Sequence, residues 1–411
     1  MVRPFRRVAT LAAALALAAP ALAAEPGVTP TEIVIGGDHP YSGPASAYGN
    51  VGKGIAAYFA YVNDHGGVNG RKITYIDKDD GYSPPQAVQV VHQLVDQNHV
   101  FLMFNPLGTQ VNTALRPYLN ENKIPQLFVM TGATTWGRDY AQWPWTIGWI
   151  PNYQAESIIY AQDIIKNHPA AKIGVIYQND DYGLDYLAGL NKGLGAHKPM
   201  IVKAVSYETT DAGVASQIAT LKASGADTFV VLATPKFAIQ SLVAAAQQGW
   251  HPLIYLNNVS ASPTVLEAAE KGGGPSATAG IISTTYLKDP ADHARWDGDP
   301  GMKTYREIMA KYAPGGDTDD AFYVAGMAAA YGFVDCLRRA GKDPTRAKVM
   351  DAALHLDESD NPFLYPGVTA RTSPTYHFPI SALVFERWEG GRWHTYGNVV
   401  DARPLVEAAE R

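Results

Sequence analysis

The chain has 411 residues, of which 46% are apolar, 18% charged and 10% aromatic. This composition is typical of a globular protein long enough for two domains, and it excludes a disordered chain, a collagen-like repeat and a disulfide scaffold. The formal net charge is −6, and an acidic balance argues against a nucleic-acid partner.

Residues 1–23 have the pattern of a secretory signal peptide. Arg3, Arg6 and Arg7 precede an apolar run from Val8 to Ala19, and Ala21-Leu22-Ala23 follows as a small-residue cleavage site. The run is too short for a membrane span, which needs about 20 residues. We expect cleavage near Ala23. Since no cysteine follows the run, the product should be a free periplasmic protein rather than a lipoprotein.

Short apolar strands then alternate with helical segments. The first series predicts strands at 31–36, 71–77, 100–104 and 126–130. Its first helix carries apolar residues at helical spacing, from Ile55 to Val62, and ends at Gly66-Gly67. A second helix opens at Ser83-Pro84-Pro85, where the serine side chain should act as a cap.

A second series follows Pro151 with the same alternation. It predicts helices at 154–166, 183–194, 215–223 and 237–248, and strands at 172–177, 200–205, 228–233 and 253–256. Two similar series indicate two α/β lobes with largely parallel sheets. Because about 130 residues remain after Gly280, including a hairpin around Gly390-Gly391, we expect the chain to cross between the lobes more than once.

The longest apolar stretch, Ala321 to Val334, is bounded by Asp320 and Asp335, so we interpret it as a buried helix. The single cysteine, Cys336, excludes an intramolecular disulfide and is interpreted as a buried structural thiol.

Signatures of phosphate-binding loops, dinucleotide-binding loops, zinc proteases, thiol redox sites and nucleophile elbows do not occur in the sequence. Acidic clusters at Asp77 to Asp80 and at Asp180-Asp181 lie at predicted strand ends, where acids commonly cap turns. Catalysis or metal binding by these acids is the weaker interpretation. We therefore expect no catalytic residues, metal or cofactor.

The loops that follow the predicted strands are rich in hydroxyl, amide and aromatic side chains. In open parallel sheets a ligand binds outside the carboxyl ends of the strands, so these loops predict a polar and aromatic cleft. The alternative is that Gly, Asn and Thr serve there only as turn residues. This alternative weakens because six separate loops show the same content.

Several motifs occur in order along the mature chain: Tyr41-Ser-Gly-Pro-Ala-Ser-Ala-Tyr48-Gly49, the segment from Val62 to Lys72, Tyr177-Gln-Asn-Asp-Asp-Tyr182-Gly183 and Ser224-Gly-Ala-Asp227. From about Glu32 to Asn398 the chain resembles the branched-chain amino acid binding family of periplasmic solute-binding proteins, which serve ABC importers.

The resemblance implies two Rossmann-like α/β lobes of the type I periplasmic binding fold, joined by three hinge crossovers. We expect lobe I at 31–148 and 286–368, and lobe II at 149–283 and 372–411. It also implies a monomer that closes on a small solute and delivers it to a permease in the inner membrane.

Carried over position by position, the resemblance gives a set of expected ligand contacts. Tyr48 and Tyr182 match aromatic residues of the two lobes, Asn105 to Gly108 a carboxylate-binding loop, Gly132 to Thr134 a second polar loop, and Phe322 an apolar wall. With the loop positions added, the expected ligand-binding residues are Tyr41, Tyr48, Asn105, Pro106, Leu107, Gly108, Thr131, Gly132, Ala133, Thr134, Trp149, Tyr182, Thr234, Asn257, Asn258 and Phe322.

Two departures from the family pattern bear on the solute. Pro106 has no backbone donor and Leu107 replaces a hydroxyl residue. The acid that binds a substrate ammonium should lie near Asn258, yet no Asp or Glu occurs from Pro252 to Leu266. We therefore hypothesise a neutral or monoanionic solute, such as an aromatic or aliphatic carboxylate or an amide, rather than an ordinary amino acid.

Other classes remain open at this stage. A true branched-chain amino acid binding protein, and a sensory module that presents its solute to a receptor, have the same closed lobes. An enzyme with Asp180 or Asp181 as base would need a nucleophile or a metal set, which the sequence lacks.

Overall fold

The computed structural model describes residues 25–409, so the predicted signal peptide lies outside the described residues. The first sheet has the order β2-β1-β3-β4-β5, with every neighbouring pair parallel. Its strands are β1 (Glu32–His39), β2 (Lys72–Asp79), β3 (Met103–Phe104), β4 (Gln126–Val129) and β5 (Thr146–Gly148). Helices α1 (Gly49–Asp64), α2 (Pro84–His92), α3 (Thr109–Glu121) and the short α4 (Thr135–Arg138) connect them.

The second sheet follows in the chain and is also built from parallel strands that alternate with helices. Its parallel strands are β6 (Ile173–Gln178), β7 (Ile201–Tyr207), β8 (Thr228–Leu232), β9 (Leu253–Leu256) and β10 (Ile282–Thr285). The helices are α5 (Tyr153–Asn167), α6 (Asp181–Leu194), α7 (Ala215–Ala223), α8 (Pro235–Gln247) and α9 (Pro263–Gly273).

The remaining chain adds strands to the second sheet, places helices beside the first, and forms a separate two-stranded sheet from Asp357–Glu358 and Ala370–Arg371. Its elements are α10 (His293–Trp296), α11 (Pro300–Tyr312), α12 (Ala321–Ala340), α13 (Arg346–Ala353), β11 (Asp357–Glu358), β12 (Ala370–Arg371), β13 (Ala382–Glu389), β14 (Arg392–Asp401) and α14 (Arg403–Ala409). The hairpin β13–β14 adds antiparallel strands to the second sheet, whose order is β14-β13-β10-β9-β8-β6-β7. Helices α11 and α12 instead contact α1 beside the first sheet.

The apolar stretch after Asp320 forms the buried helix that the sequence predicts. Asp320 caps it by accepting a hydrogen bond from Phe322 N at 3.0 Å. The helix packs closely on α1, because a Cβ added at Gly326 would lie 2.1 Å from the carbonyl oxygen of Val51. Cys336 is fully buried in this helix. Within residues 25–409, no helix is long and apolar enough to cross a membrane.

The chain therefore passes from the first sheet to the second after β5, returns to the first after β10, and enters the second again at β13. We call the first sheet with its helices lobe I and the second lobe II; the boundaries given above remain a prediction. Two local expectations are wrong. The Ser83 side chain makes no capping hydrogen bond, and the predicted strand 100–104 is paired only at Met103–Phe104.

Candidate functional site

A cavity lies between the two lobes, at the carboxyl ends of their strands. Its volume is about 80 Å³. A single water needs a cavity of about 10–15 Å³, so this cavity has room for a small molecule. The wall includes Tyr48, Tyr82, Leu107, Gly108, Thr109, Ile150, Tyr153, Tyr182, Thr234, Asn258, Ser262, Thr284, Tyr286, Asp289, Phe322, Glu386 and Trp393.

Aromatic rings form much of this wall, and they come from both lobes. Tyr48 after β1 meets Phe322 of α12 edge to face, with ring centroids 5.2 Å apart. Tyr153 meets Tyr182 in the same manner at 5.3 Å and stacks on Tyr186 at 4.3 Å. Such arrangements fix the rings in place and give a large apolar contact surface.

The turn before α3 supplies polar groups on the lobe I side. Gly108 has a φ of 106°, and a Cβ there would lie 2.7 Å from the Tyr82 ring, so only glycine fits. Thr109 begins the helix, and its hydroxyl is 2.7 Å from that of Thr131. The N-terminus of a helix carries partial positive charge and free N–H groups, which favour an anion.

The lobe II wall supplies a phenol and an amide. Asp180 caps α6 by accepting hydrogen bonds from the backbone N–H groups of Tyr182 (3.0 Å) and Gly183 (3.2 Å), which fixes the Tyr182 backbone. The Asn257 side-chain oxygen accepts from the Tyr182 hydroxyl at 2.5 Å. The Nδ2 atom of Asn258 is buried and has no hydrogen-bond partner among the described residues. It is a donor that a solute can use.

The interpretation of the acidic clusters as turn caps agrees with the structure. Beyond capping α6, Asp180 accepts from the Gln178 side chain at 2.5 Å. Asp79 accepts from the backbone N–H groups of Tyr41, Ser42 and Gly81. Among residues 25–409, no group of three or more His, Cys, Asp or Glu side chains is arranged to hold a metal ion.

The structure brings seven of the predicted ligand contacts to the cavity wall: Tyr48, Leu107, Gly108, Tyr182, Thr234, Asn258 and Phe322. The other nine lie outside this wall. Thr131 lies behind Thr109, and Asn257 lies behind Tyr182, so each supports a residue of the wall.

Four of the nine belong to lobe I packing. Tyr41 donates to Asp77 Oδ2 at 2.5 Å, and Asn105 donates to the Phe128 carbonyl at 2.6 Å. The Pro106 carbonyl accepts from Asn112 and from Met130. Trp149 is fully buried against Phe128, with ring centroids 4.7 Å apart.

The last three, Gly132, Ala133 and Thr134, pack against the segment 149–152 that joins β5 of lobe I to α5 of lobe II, which we call the hinge, and do not line the cavity. The Gly132 carbonyl accepts from Tyr153 N at 2.8 Å, and Ala133 is buried beside it. Thr134 donates through its backbone N–H (2.9 Å) and its hydroxyl (3.1 Å) to Asp185 of lobe II. Its polar groups are therefore used between the lobes.

Sequence reasoning missed Tyr82, Tyr153, Tyr286 and Trp393, and above all the acids. The stretch around Asn258 lacks an acid, but Asp289 and Glu386 line the cavity. The absence of an acid from Pro252 to Leu266 therefore does not leave the cavity without carboxyl groups. Burial raises the pKa of Asp289 to about 7. Burial, followed by the charges of Asp289 and Glu156, raises the pKa of Glu386 well above its ordinary value.

Glu156 lies directly behind Asn258. Its carboxylate accepts from Asn258 N (2.7 Å) and from the hydroxyls of Tyr160 (2.6 Å) and Tyr186 (2.7 Å). Burial raises its pKa to about 7. Because its oxygens already accept these hydrogen bonds, Glu156 fixes the position of Asn258 and is not itself part of the cavity wall.

Two α/β lobes that enclose a small cavity at their strand ends define the class of type I solute-binding folds. Residues 32–392 match the model of the periplasmic binding protein family, and the chain belongs to that family. An amino acid binding protein of Pseudomonas aeruginosa is 24% identical over 77% of this chain and 81% of its own length. A Leu/Ile/Val-binding protein homologue of Brucella abortus is 28% identical, over 53% of this chain and 57% of its own length.

Solved structures share the fold across nearly the whole chain. A branched-chain amino acid transporter protein of Thermus thermophilus with bound valine has a TM-score of 0.79, at 17% identity over 92% of this chain and 98% of its own. A fatty acid transporter substrate-binding protein of Thermomonospora curvata scores 0.76, at 22% identity over 93% and 96%. A Rhodopseudomonas palustris solute-binding protein in complex with benzoate scores 0.74, at 18% identity over 90% and 97%.

Proposed function

We propose that this protein is the substrate-binding component of an ABC importer, acting in the periplasm as a monomer. It captures a small solute between its lobes and delivers it to a permease in the inner membrane, without catalysis. The observation that carries the proposal is the cavity itself, whose wall is built from both lobes at their strand ends. Family membership supports the same role.

Hydrogen bonds between the lobes hold the closed form together, and a solute in the cleft can add to them. The Ser262 hydroxyl of lobe II donates to Asp320 Oδ1 of lobe I at 2.8 Å. Thr134 and Asp185 form a second connection nearer the hinge. A solute that touches both lobes binds the closed form better, and thereby shifts the population toward it.

The solute is a small neutral or monoanionic compound, such as an aromatic or short aliphatic carboxylate or an amide. The aromatic wall suits its apolar body. The N-terminus of α3 at Gly108 and Thr109, with the unpartnered Asn258 amide, suits a carboxylate or carbonyl oxygen. Solved structures of the same fold include one in complex with benzoate, one with bound valine and one of a fatty acid transporter substrate-binding protein.

The seven predicted residues in the wall are the proposed contacts. Tyr48, Leu107 and Phe322 flank the solute body, and Tyr182 with Thr234 covers it from lobe II. Gly108 and Asn258 face the solute oxygen. The remaining predicted positions support this wall or the hinge.

A thermal-shift screen of the mature protein tests the proposal. The compounds are amino acids, amides, aliphatic acids and aromatic acids. A ligand at 100 times its Kd adds about 2.7 kcal/mol of stability, which is readily measured. We expect a shift with carboxylates or amides and none with leucine or valine.

Two variants make the screen specific to the site. Asn258→Ala should lower the affinity about tenfold, because it removes a buried donor. Asn122→Ala, at an exposed position after α3, is the control. Low-micromolar binding of leucine or valine with no carboxylate or amide bound would refute the proposed solute class.

A further inference from the structure

A second polar region of the cavity lies away from the N-terminus of α3, where β13 and the segment after β10 meet. Glu386 is on β13, opposite Ser283 of β10, and is only 3% exposed. Asp289 comes from the segment that leaves β10. Both side chains belong to the cavity wall. The charge of Asp289 acts on Glu386, so the two carboxyl groups are electrostatic neighbours.

These carboxyl groups have unused acceptor capacity. Among the described residues, Glu386 has no hydrogen-bond partner for its side chain, although that side chain is more than nine-tenths buried. The Oδ1 atom of Asp289 accepts from Ala291 N at 3.0 Å, but its Oδ2 atom is buried without a partner. A buried acceptor without a donor is unfavourable, and a donor supplied by a ligand removes that cost.

The protein itself supplies no cation to this pair. Lys288 precedes Asp289 in the chain and also belongs to the wall, but its ammonium group donates to Asp299 Oδ1 and to the Pro362 carbonyl, both at 2.8 Å. Arg387 lies next to Glu386 on the strand, and its guanidinium lies over the Tyr396 ring. Lys288 is the only Lys, Arg or His among the described wall residues.

We infer that the solute carries an N–H or O–H group, as an amine, amide or hydroxyl, which donates to Glu386 and to Asp289 Oδ2. This inference rests on the proposed function and narrows it to bifunctional solutes. One end is a carboxylate or carbonyl that meets the N-terminus of α3 and Asn258. The other end is a hydrogen-bond donor, which a simple aromatic or aliphatic acid lacks.

Two matched series of compounds test the inference by isothermal titration calorimetry. The aromatic series compares benzoate and 3-methylbenzoate with 3-hydroxybenzoate and 3-aminobenzoate. The aliphatic series compares pentanoate with 5-hydroxypentanoate and 5-aminopentanoate. In the series that binds, the compounds with a donor should bind about tenfold more tightly than those without one, because each meets a buried charged or polar acceptor.

Variants connect that preference to the acids. Glu386→Met keeps a similar volume but removes the acceptor, and should reduce the preference to less than about threefold. Glu389→Gln, at an exposed position on the same strand, should leave it unchanged. Thermal unfolding without solute shows whether Glu386→Met is folded. Asp289→Asn, which retains one acceptor, provides a second measurement.

The outcomes separate this inference from the function on which it rests. If compounds without a donor bind as tightly as those with one, or if Glu386→Met keeps the wild-type preference, the inference is overturned while the small-carboxylate function stands. If neither series binds and the broader screen also finds no carboxylate or amide, both are overturned.

Discussion

A substitution at Gly132 tests whether the loop from Gly132 to Thr134 packs against the hinge or contacts the solute. A Cβ at this position would lie 2.0 Å from the Pro151 carbonyl oxygen and 2.7 Å from Cδ1 of Tyr153. Gly132 is not among the glycines with positive φ, so the effect of Gly132→Ala is steric rather than conformational. The backbone at Pro151 must move, and Tyr153 moves with it.

The expected cost follows from this overlap. Forcing one methyl group into a packed site costs about 1–3 kcal/mol. Gly298→Ala is the matched control, since a Cβ there would meet nothing within 4 Å, and its effect should stay within about 0.5 kcal/mol.

Equilibrium urea unfolding, followed by circular dichroism without solute, measures the difference between the two variants. The stability of Gly132→Ala should fall by the amount given, and the displaced Tyr153 ring should also weaken solute binding. If Gly132→Ala unfolds at the same urea concentration as Gly298→Ala, the hinge role deduced from the structure is refuted. If Gly132→Ala weakens solute binding without lowering stability, the loop contacts the solute instead of packing against the hinge.

Three further predictions concern closure, pH and the apolar wall. Ser262→Ala should weaken solute affinity about tenfold without lowering the stability of the unliganded protein, since its bond to Asp320 joins the lobes; calorimetry against exposed Ser216→Ala checks this. Burial raises the pKa of Glu358 from 4.5 to about 7, so between these values the folded protein holds a proton that the unfolded chain has lost, and stability falls as the pH rises from about 4.5 to about 7. Glu358→Gln should remove this contribution to the pH-dependent loss of stability, which amounts to up to about 3 kcal/mol. The same pH dependence of urea unfolding in the wild type and the variant would contradict the prediction. Phe322→Ala should weaken binding about tenfold or more by removing an apolar wall, and unchanged affinity would place the solute elsewhere.

Much of the fold was predictable because local sequence and tertiary structure agree. Strands β6, β8 and β9 of lobe II are short, buried apolar runs between turn residues, which the sequence pattern shows directly. The strand predicted at 100–104 is shorter because residues 100–102 are buried but hydrogen-bond to β1 only irregularly, from Phe101 N to the Val34 carbonyl and from Gly36 N to the Leu102 carbonyl. Their burial produces the same apolar signal in the sequence as a regular strand.

The site was harder to predict, since a loop after a strand can face either the cavity or the neighbouring lobe. Gly132 to Thr134 have suitable residue types for a ligand loop, but Thr134 donates to Asp185, 51 positions away in the chain, and the Gly132 carbonyl accepts from Tyr153 N. The acids escaped notice for a similar reason. Glu386 reaches the cavity only because the last hairpin returns to the second sheet, which no local pattern around Asn258 reveals.

The indole of Trp393 gives this protein a built-in optical reporter. It lies in the cavity wall, its Nε1 donates to the Ala261 carbonyl at 2.7 Å, and its ring meets Trp388 at 5.3 Å. Indole fluorescence depends on the polarity around the ring, so replacement of cavity water by a solute should shift the emission maximum of Trp393 and change its intensity. The occupancy of the cleft can thus be followed in real time, without a label or a known chromophore in the solute.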